Sequence, residues 1–205
     1  VVIVNTVVLV QTTFELTEQA TTWAFGLFGL GSMLAAFALP KILDKLNDRT
    51  VMLSGTVVLV VGLLSGYFIS TYAWLLALWF ILGIGYSVSQ TPTGRLIRKS
   101  ASSENRAALF AAQFAFSHAC WLITYPLVGW LSTNFGTLIT FVPMAFIALV
   151  SMVVAFVLWP QKDDLVLEHT HPDLPQDHEH LLQHNHKGKH EHEFMIDRYH
   201  QHWPK

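Results

Sequence analysis

The chain has 205 residues, of which 52% are hydrophobic and only 13% charged, with a formal net charge of −2 at pH 7. Soluble domains carry about a quarter charged residues, so the composition excludes an ordinary soluble domain and points to a membrane protein. The single Cys120 excludes both a disulfide framework and a thiolate metal site.

No Asp, Glu, Lys or Arg occurs in residues 19–40, 50–94 or 107–161. A span needs roughly 20 apolar residues, so these runs hold about one, two and two transmembrane helices. The chain opens at Val1 inside an apolar run, with no Met, basic leader or cleavage site. Residues 1–11 therefore read as the latter half of a helix whose start lies upstream. Glu15 and Glu18 mark a short polar loop. Residues 22–43 form the first complete span, with Gly26, Gly29 and Gly31 as small residues that allow close helix approach, and Pro40 near its exit.

After the charged segment 41–49, residues 51–68 form a second span with Gly55, Gly62 and Gly66, and residues 73–91 a third. The third ends before Pro92 and a basic loop of Arg95, Arg98 and Lys99, which Glu104 and Arg106 close. Residues 107–131 are a fourth span and residues 137–159 a fifth, in which Pro143 is expected to kink the helix. Beyond Pro160 the composition turns polar and His-rich, with too few aliphatic residues to offset the entropy of ordering, so residues 161–205 read as a disordered tail.

Lys41, Lys45, Arg49, Arg95, Arg98, Lys99, Arg106 and Lys162 all fall on one side of this topology, and the opposite loops hold only Glu15 and Glu18. Basic residues are retained on the cytoplasmic side, so the tail is expected to be cytoplasmic and the membrane a cell, or inner, membrane. The basic loops are thereby explained without nucleic-acid binding.

The loop from Pro40 through Asp44, Lys45, Asn47 and Asp48 to Arg49 resembles a degenerate copy of the loop signature of the major facilitator superfamily, Gly-x-x-x-Asp-Arg/Lys-x-Gly-Arg-Arg/Lys. Asp44, Lys45 and Arg49 match, whereas Pro40, Asn47 and Asp48 depart from it. In that family the weaker copy follows the eighth helix, and Gly83-x-Gly85, Pro92 and Arg95 are similar to the tenth. The resemblance covers residues 1 to about 159. It implies an all-α membrane protein whose six transmembrane helices form one half of a twelve-helix bundle, with a missing N-terminal six-helix half as partner. It also implies rocking of the halves about a midplane site, with Asp44, Lys45 and Arg49 in the cytoplasmic gate.

His118 lies near the middle of the fourth span, where a charged side chain costs roughly 2.5–3.5 kcal/mol, so it should face the bundle or a wet cavity. Gln113, Ser117, Cys120 and Thr124 form a polar stripe on its helix, which His118 and Tyr125 flank. Gly83, Tyr86, Ser87, Gln90 and Gly94 form a second stripe on the third span, and Asn5 and Thr12 share a face of the first helix. These residues are candidates for a polar transport path; the plain alternative is a neutral His118 hydrogen-bonded between helices.

The tail holds ten of the eleven histidines, as five His-x-His pairs: His169 and His171, His178 and His180, His184 and His186, His190 and His192, and His200 and His202. Residues two apart point to one side of an extended chain, so each pair can offer two imidazoles to one ion. Imidazole, whose ordinary pKa is about 6.5, is largely neutral in cytosol and ready to ligate. Nitrogen donors without thiolates suit Ni, Co, Zn or Cu, and no resident cofactor is required.

Three functions follow: an exporter of divalent metal coupled to protons, a major facilitator exporter of organic solutes with a metal-buffering tail, and a membrane-anchored metal sink or sensor. The chain also resembles nickel-resistance exporters of the superfamily, which end in His-rich tails. Cation-diffusion facilitators need intramembrane Asp and His ligand sets, and these spans contain no Asp. No paired carboxylates or nucleophile-base set supports an enzyme.

Overall fold

In a computed structural model, residues 1–102 and 104–159 are described in full, together with the backbone of residues 166–169, 185–186 and 189–193. The chain divides into two units, Val1–Thr93 with Phe114–Pro160, and Gly94–Gln113 with Gln161–Lys205. Its helices in order are α1 (Val2–Val7), continued by a π-helical turn (Val8–Thr13), α2 (Glu18–Leu43), α3 (Asp48–Gly66), α4 (Tyr72–Gln90), α5 (Thr93–Ser100), α6 (Arg106–Phe135) and α7 (Phe141–Leu158), the last preceded by a 3₁₀ turn (Leu138–Thr140).

Among the described residues, five stretches are long and apolar enough to cross a membrane: Glu18–Leu43, Asp48–Gly66, Tyr72–Ser100, Arg106–Phe135 and Leu138–Leu158. Val2–Thr13 is a shorter apolar helix. The five spans expected from the charge-free runs are all present. The main difference is that the basic stretch expected as a loop is helical, as α5. Its Arg98 Nε bonds back to the Gly94 carbonyl at 3.2 Å, one turn earlier.

Polar side chains set the helix starts. Asn47 Oδ1 accepts from the Thr50 amide at 2.9 Å, and Thr71 Oγ1 accepts from the Trp74 amide at 3.2 Å, so each satisfies a donor that the first turn leaves unpaired. Pro143 does not kink a helix. It is the third residue of α7, directly after the 3₁₀ turn, where a missing amide proton costs little because first-turn donors have no intrahelical partner.

In the larger unit α4 packs against both α2 and α3, and α3 also packs against α7. Leu75, Leu78, Trp79 and Leu82 of α4 form one core with Leu9, Val10, Ala24 and Phe141, in which the Trp79 and Phe141 rings lie 6.2 Å apart. At the crossing of α2 and α4, a Cβ on Gly31 would lie 2.1 Å from the Phe80 carbonyl oxygen, and one on Gly83 would lie 2.1 Å from the Phe28 carbonyl oxygen. The two backbones touch there because neither residue carries a side chain. Large apolar residues cover the outside, among them Phe37 (75% exposed), Phe116 (75%) and Leu122 (77%), a surface suited to hydrocarbon rather than water.

Beyond residue 160, where composition predicts no regular structure, the described residues form three short strands: β1 (Val166–His169), β2 (Asn185–His186) and β3 (Lys189–Glu193). They pair antiparallel in the order β1-β3-β2. The composition-based expectation of no regular structure is thus not met at these residues, where backbone donors and acceptors pair from strand to strand.

Candidate functional site

Phe114, His118, Trp121 and Tyr125 follow one another at steps of four, three and four along α6, which puts them on consecutive turns of one face. The His118 ring lies 3.7 Å from the Phe114 ring and 4.6 Å from the Trp121 ring, centroid to centroid. Trp121 in turn stacks on Tyr125 at 6.1 Å with 9° between planes. His118 Nδ1 lies 2.8 Å from the Phe114 carbonyl oxygen and 3.5 Å from Ser117 Oγ. A carbonyl only accepts, so Nδ1 carries a proton and donates it, which leaves Nε2 to take a proton or a metal ion.

This face is open. From Phe114 to Phe135, Val128 is the single buried residue of α6, and His118, Trp121 and Cys120 are exposed. The polar stripe expected beside His118 is partly spent on its own helix: Ser117 Oγ donates to the Phe114 carbonyl at 2.9 Å, and Thr124 Oγ1 to the Cys120 carbonyl at 2.8 Å. Gln113 and Tyr125 are half-buried. The ring neighbours Phe114 and Trp121 were not among the sequence candidates. Their signal was the helical spacing of aromatic residues around His118, which an apolar span hides among its other large side chains.

The second stripe divides. Gly83 and Ser87 are buried, Gly83 in the α2 crossing and Ser87 with its hydroxyl 3.2 Å from that of Thr91, whereas Tyr86 and Gln90, at the edge of the same stripe, are exposed. Tyr86 leans on Phe28, with ring centroids 5.8 Å apart.

Asn5 is fully buried. Its Nδ2 donates to Thr140 Oγ1 at 2.6 Å and to the Thr137 carbonyl at 3.4 Å, and Thr140 Oγ1 donates to that same carbonyl at 2.7 Å. Next to it, Thr6 Oγ1 donates to the Val2 carbonyl and accepts from Trp79 Nε1 at 2.8 Å. These bonds tie α1 to α4 and to the start of α7. The pairing of Asn5 with Thr12 on one face does not hold, because the π turn between them under-winds the helix and leaves Thr12 exposed.

The three gate candidates separate as well. Asp44 ends α2 and is exposed, as is Lys45, while Arg49 is 7% exposed in the first turn of α3. Arg49 Nη2 donates to the Phe156 carbonyl at 2.8 Å, and the guanidinium sits 4.8 Å above the Phe156 ring. The departures from the loop signature have local reasons. Asn47 is the helix cap, with extended backbone that needs no glycine, and Asp48 places a negative charge at the positive end of α3.

Of the tail histidines, His169, His186, His190 and His192 lie in the strands; the register pairs His169 with His190, His190 with Asn185, and Leu167 with His192. His171, His178, His180, His184, His200 and His202 lie outside the described residues. Among the described residues no group of three or more His, Cys, Asp or Glu is placed to hold a metal ion.

Five apolar spans, of which α2, α3, α4 and α7 pack on one another through glycine contacts, define a multi-pass helical membrane protein. The family model of the Major Facilitator Superfamily matches residues 1–186. The chain belongs to that superfamily of secondary transporters, and its spans form an all-α half-bundle of the family's fold. No curated protein and no solved structure matches it.

Proposed function

We propose that this transporter exports divalent metal ions of the Ni, Co and Zn class by alternating access, with protons as counter-ion. The single observation that carries the reading is His118: an exposed imidazole in the middle of a span, its Nδ1 occupied by the Phe114 carbonyl and its Nε2 available. A titratable side chain at that depth is costly in lipid, so it belongs to a path that water, protein or cargo fills. The exposed Tyr86 and Gln90 of α4 and the half-buried Ser117 and Tyr125 of α6 supply further polar groups for such a path.

The His-x-His pairs of the tail act as a cytoplasmic collector at the inner membrane, raising the local metal concentration, and the missing N-terminal half completes the path. Asp44 and Lys45 remain the exposed charges of the gate, with Arg49 behind them. A second reading, export of organic solutes with a metal-buffering tail, is favoured by the open aromatic face of Phe114, Trp121 and Tyr125, which suits stacking on flat or cationic rings.

Accumulation of Ni, Co and Zn in a metal-sensitive host distinguishes these readings. The full-length gene lowers intracellular metal, His118→Ala abolishes the effect, and a form ending at residue 160 loses it only at limiting metal. Unchanged metal with the full-length gene would end the metal reading and leave the organic-solute one.

A further inference from the structure

The last turn of an α-helix leaves carbonyls without backbone donors, and in α7 the chain makes this deficit permanent at one of them. The Phe156 carbonyl would be served by the amide four residues on, which is Pro160, and proline has no amide proton. Proline also disfavours helical backbone in the residue before it, and Trp159 is accordingly extended, with φ −87° and ψ 115°. The preceding carbonyl, of Ala155, still has its donor, the Trp159 amide at 2.9 Å. The Phe156 carbonyl is thus the first in α7 that the helix cannot satisfy from its own backbone.

We infer that Arg49 is the C-terminal cap of α7, a side-chain donor from α3 that stands in for the amide proton Pro160 lacks. Three observations meet in this one residue. Its Nη2 reaches the Phe156 carbonyl at 2.8 Å, its guanidinium lies over the Phe156 ring at 4.8 Å, and it is 7% exposed, although a basic residue at a membrane border normally extends into water. A cation at a helix C-terminus also meets the negative end of the helix dipole. The bond spans 107 positions of sequence, from the first turn of α3 to the last turn of α7, so it fixes the end of the final span against the segment that follows Asp44 and Lys45. Arg49 is therefore a positioning residue: it sets where α7 ends and where the chain leaves for the His-rich segment, whatever the cargo.

The pairing of Arg49 with Pro160 gives a test that ordinary destabilisation does not mimic. Hydrogen exchange is followed in the full chain, in detergent or nanodiscs, at the amides of residues 157–159, with residues 78–82 of α4 as reference. Arg49→Met is expected to speed exchange at residues 157–159 by about tenfold or more, the size of a lost charge-assisted hydrogen bond, and to leave the reference unchanged. Arg49→Lys keeps the charge without the planar fork and is expected to fall between. Pro160→Ala restores an amide proton and frees Trp159 to continue the helix, so Arg49→Met in that background is expected to exchange within about threefold of the parent.

If Arg49→Met alone fails to accumulate, the double variant is expected to accumulate and give the same reading. Equal exchange in the parent and Arg49→Met, or no recovery in the double variant, would overturn the assignment. Metal accumulation is not used, so failure here leaves the proposed cargo standing, and the reverse.

Discussion

Two polar side chains in apolar sequence, Asn5 and His118, meet opposite environments. Asn5 is sealed in a node with Thr137 and Thr140, and its Oδ1 is buried without a hydrogen-bond partner among the described residues. His118 is open and bonded to its own helix. Removing Asn5 breaks a tie between α1 and the start of α7, so Asn5→Ala is expected to lower stability by roughly 1–3 kcal/mol, read as a lower unfolding midpoint in detergent. His118→Ala touches no packed neighbour helix and is expected to stay within about 0.5 kcal/mol of the parent while metal export stops. A midpoint that fell as far as that of Asn5→Ala would make His118 a structural residue. Sequence alone sets these two residues side by side as path candidates, because an apolar run does not show which face its neighbours cover.

At the scale of elements, the glycines show the same limit. Gly26, Gly29 and Gly31 read alike as packing residues, yet a Cβ meets nothing within 4 Å at the first two, whereas at Gly31 it would collide with the Phe80 carbonyl. Gly31→Ala and Gly83→Ala are each expected to push α2 and α4 apart and cost on the order of 1–3 kcal/mol, seen as reduced yield of folded protein and a lower midpoint. Gly26→Ala and Gly29→Ala should be neutral or stabilising by up to about 1 kcal/mol, since an exposed helix position gains from alanine. Helix phase against a neighbour decides this, and phase comes from tertiary packing. The caps were missed: Asn47 stood out in the sequence only as a departure from the loop signature, whereas its side chain accepts from the Thr50 amide and starts α3.

For the whole molecule, hydropathy and charge placed the five complete spans to within a few residues, except at the exit of the third, which runs on to Ser100, because the bilayer sets both their length and their lack of charge. The family match over residues 1–186 agrees with the superfamily resemblance read from the sequence. Pro143 and the basic stretch of α5 were misjudged for a shared reason: proline and charge mark a possible break, and only the surrounding turns decide whether a break occurs. The metal role proposed for the tail belongs at this scale too. A form ending at residue 160 should lose most high-affinity Ni binding in equilibrium dialysis. In the full chain, binding should weaken from pH 7.5 to about 5.5, as imidazoles with an ordinary pKa of about 6.5 become protonated and cease to be ligands.

The π turn of Val8–Thr13 carries a further consequence. Its bonds skip one residue more than those of an α-helix, as from the Phe14 amide to the Leu9 carbonyl at 3.0 Å, so this stretch stores a surplus residue within a continuous rod. Deleting one residue, Val8 for example, would let the rod rewind to ordinary pitch without moving the node at Asn5 or the start of α2. Deleting one residue from the middle of α4 has no such slack and would rotate every following contact by about 100°. The first deletion should yield folded protein and the second should not, which makes this turn the place where the half-bundle tolerates a change in length.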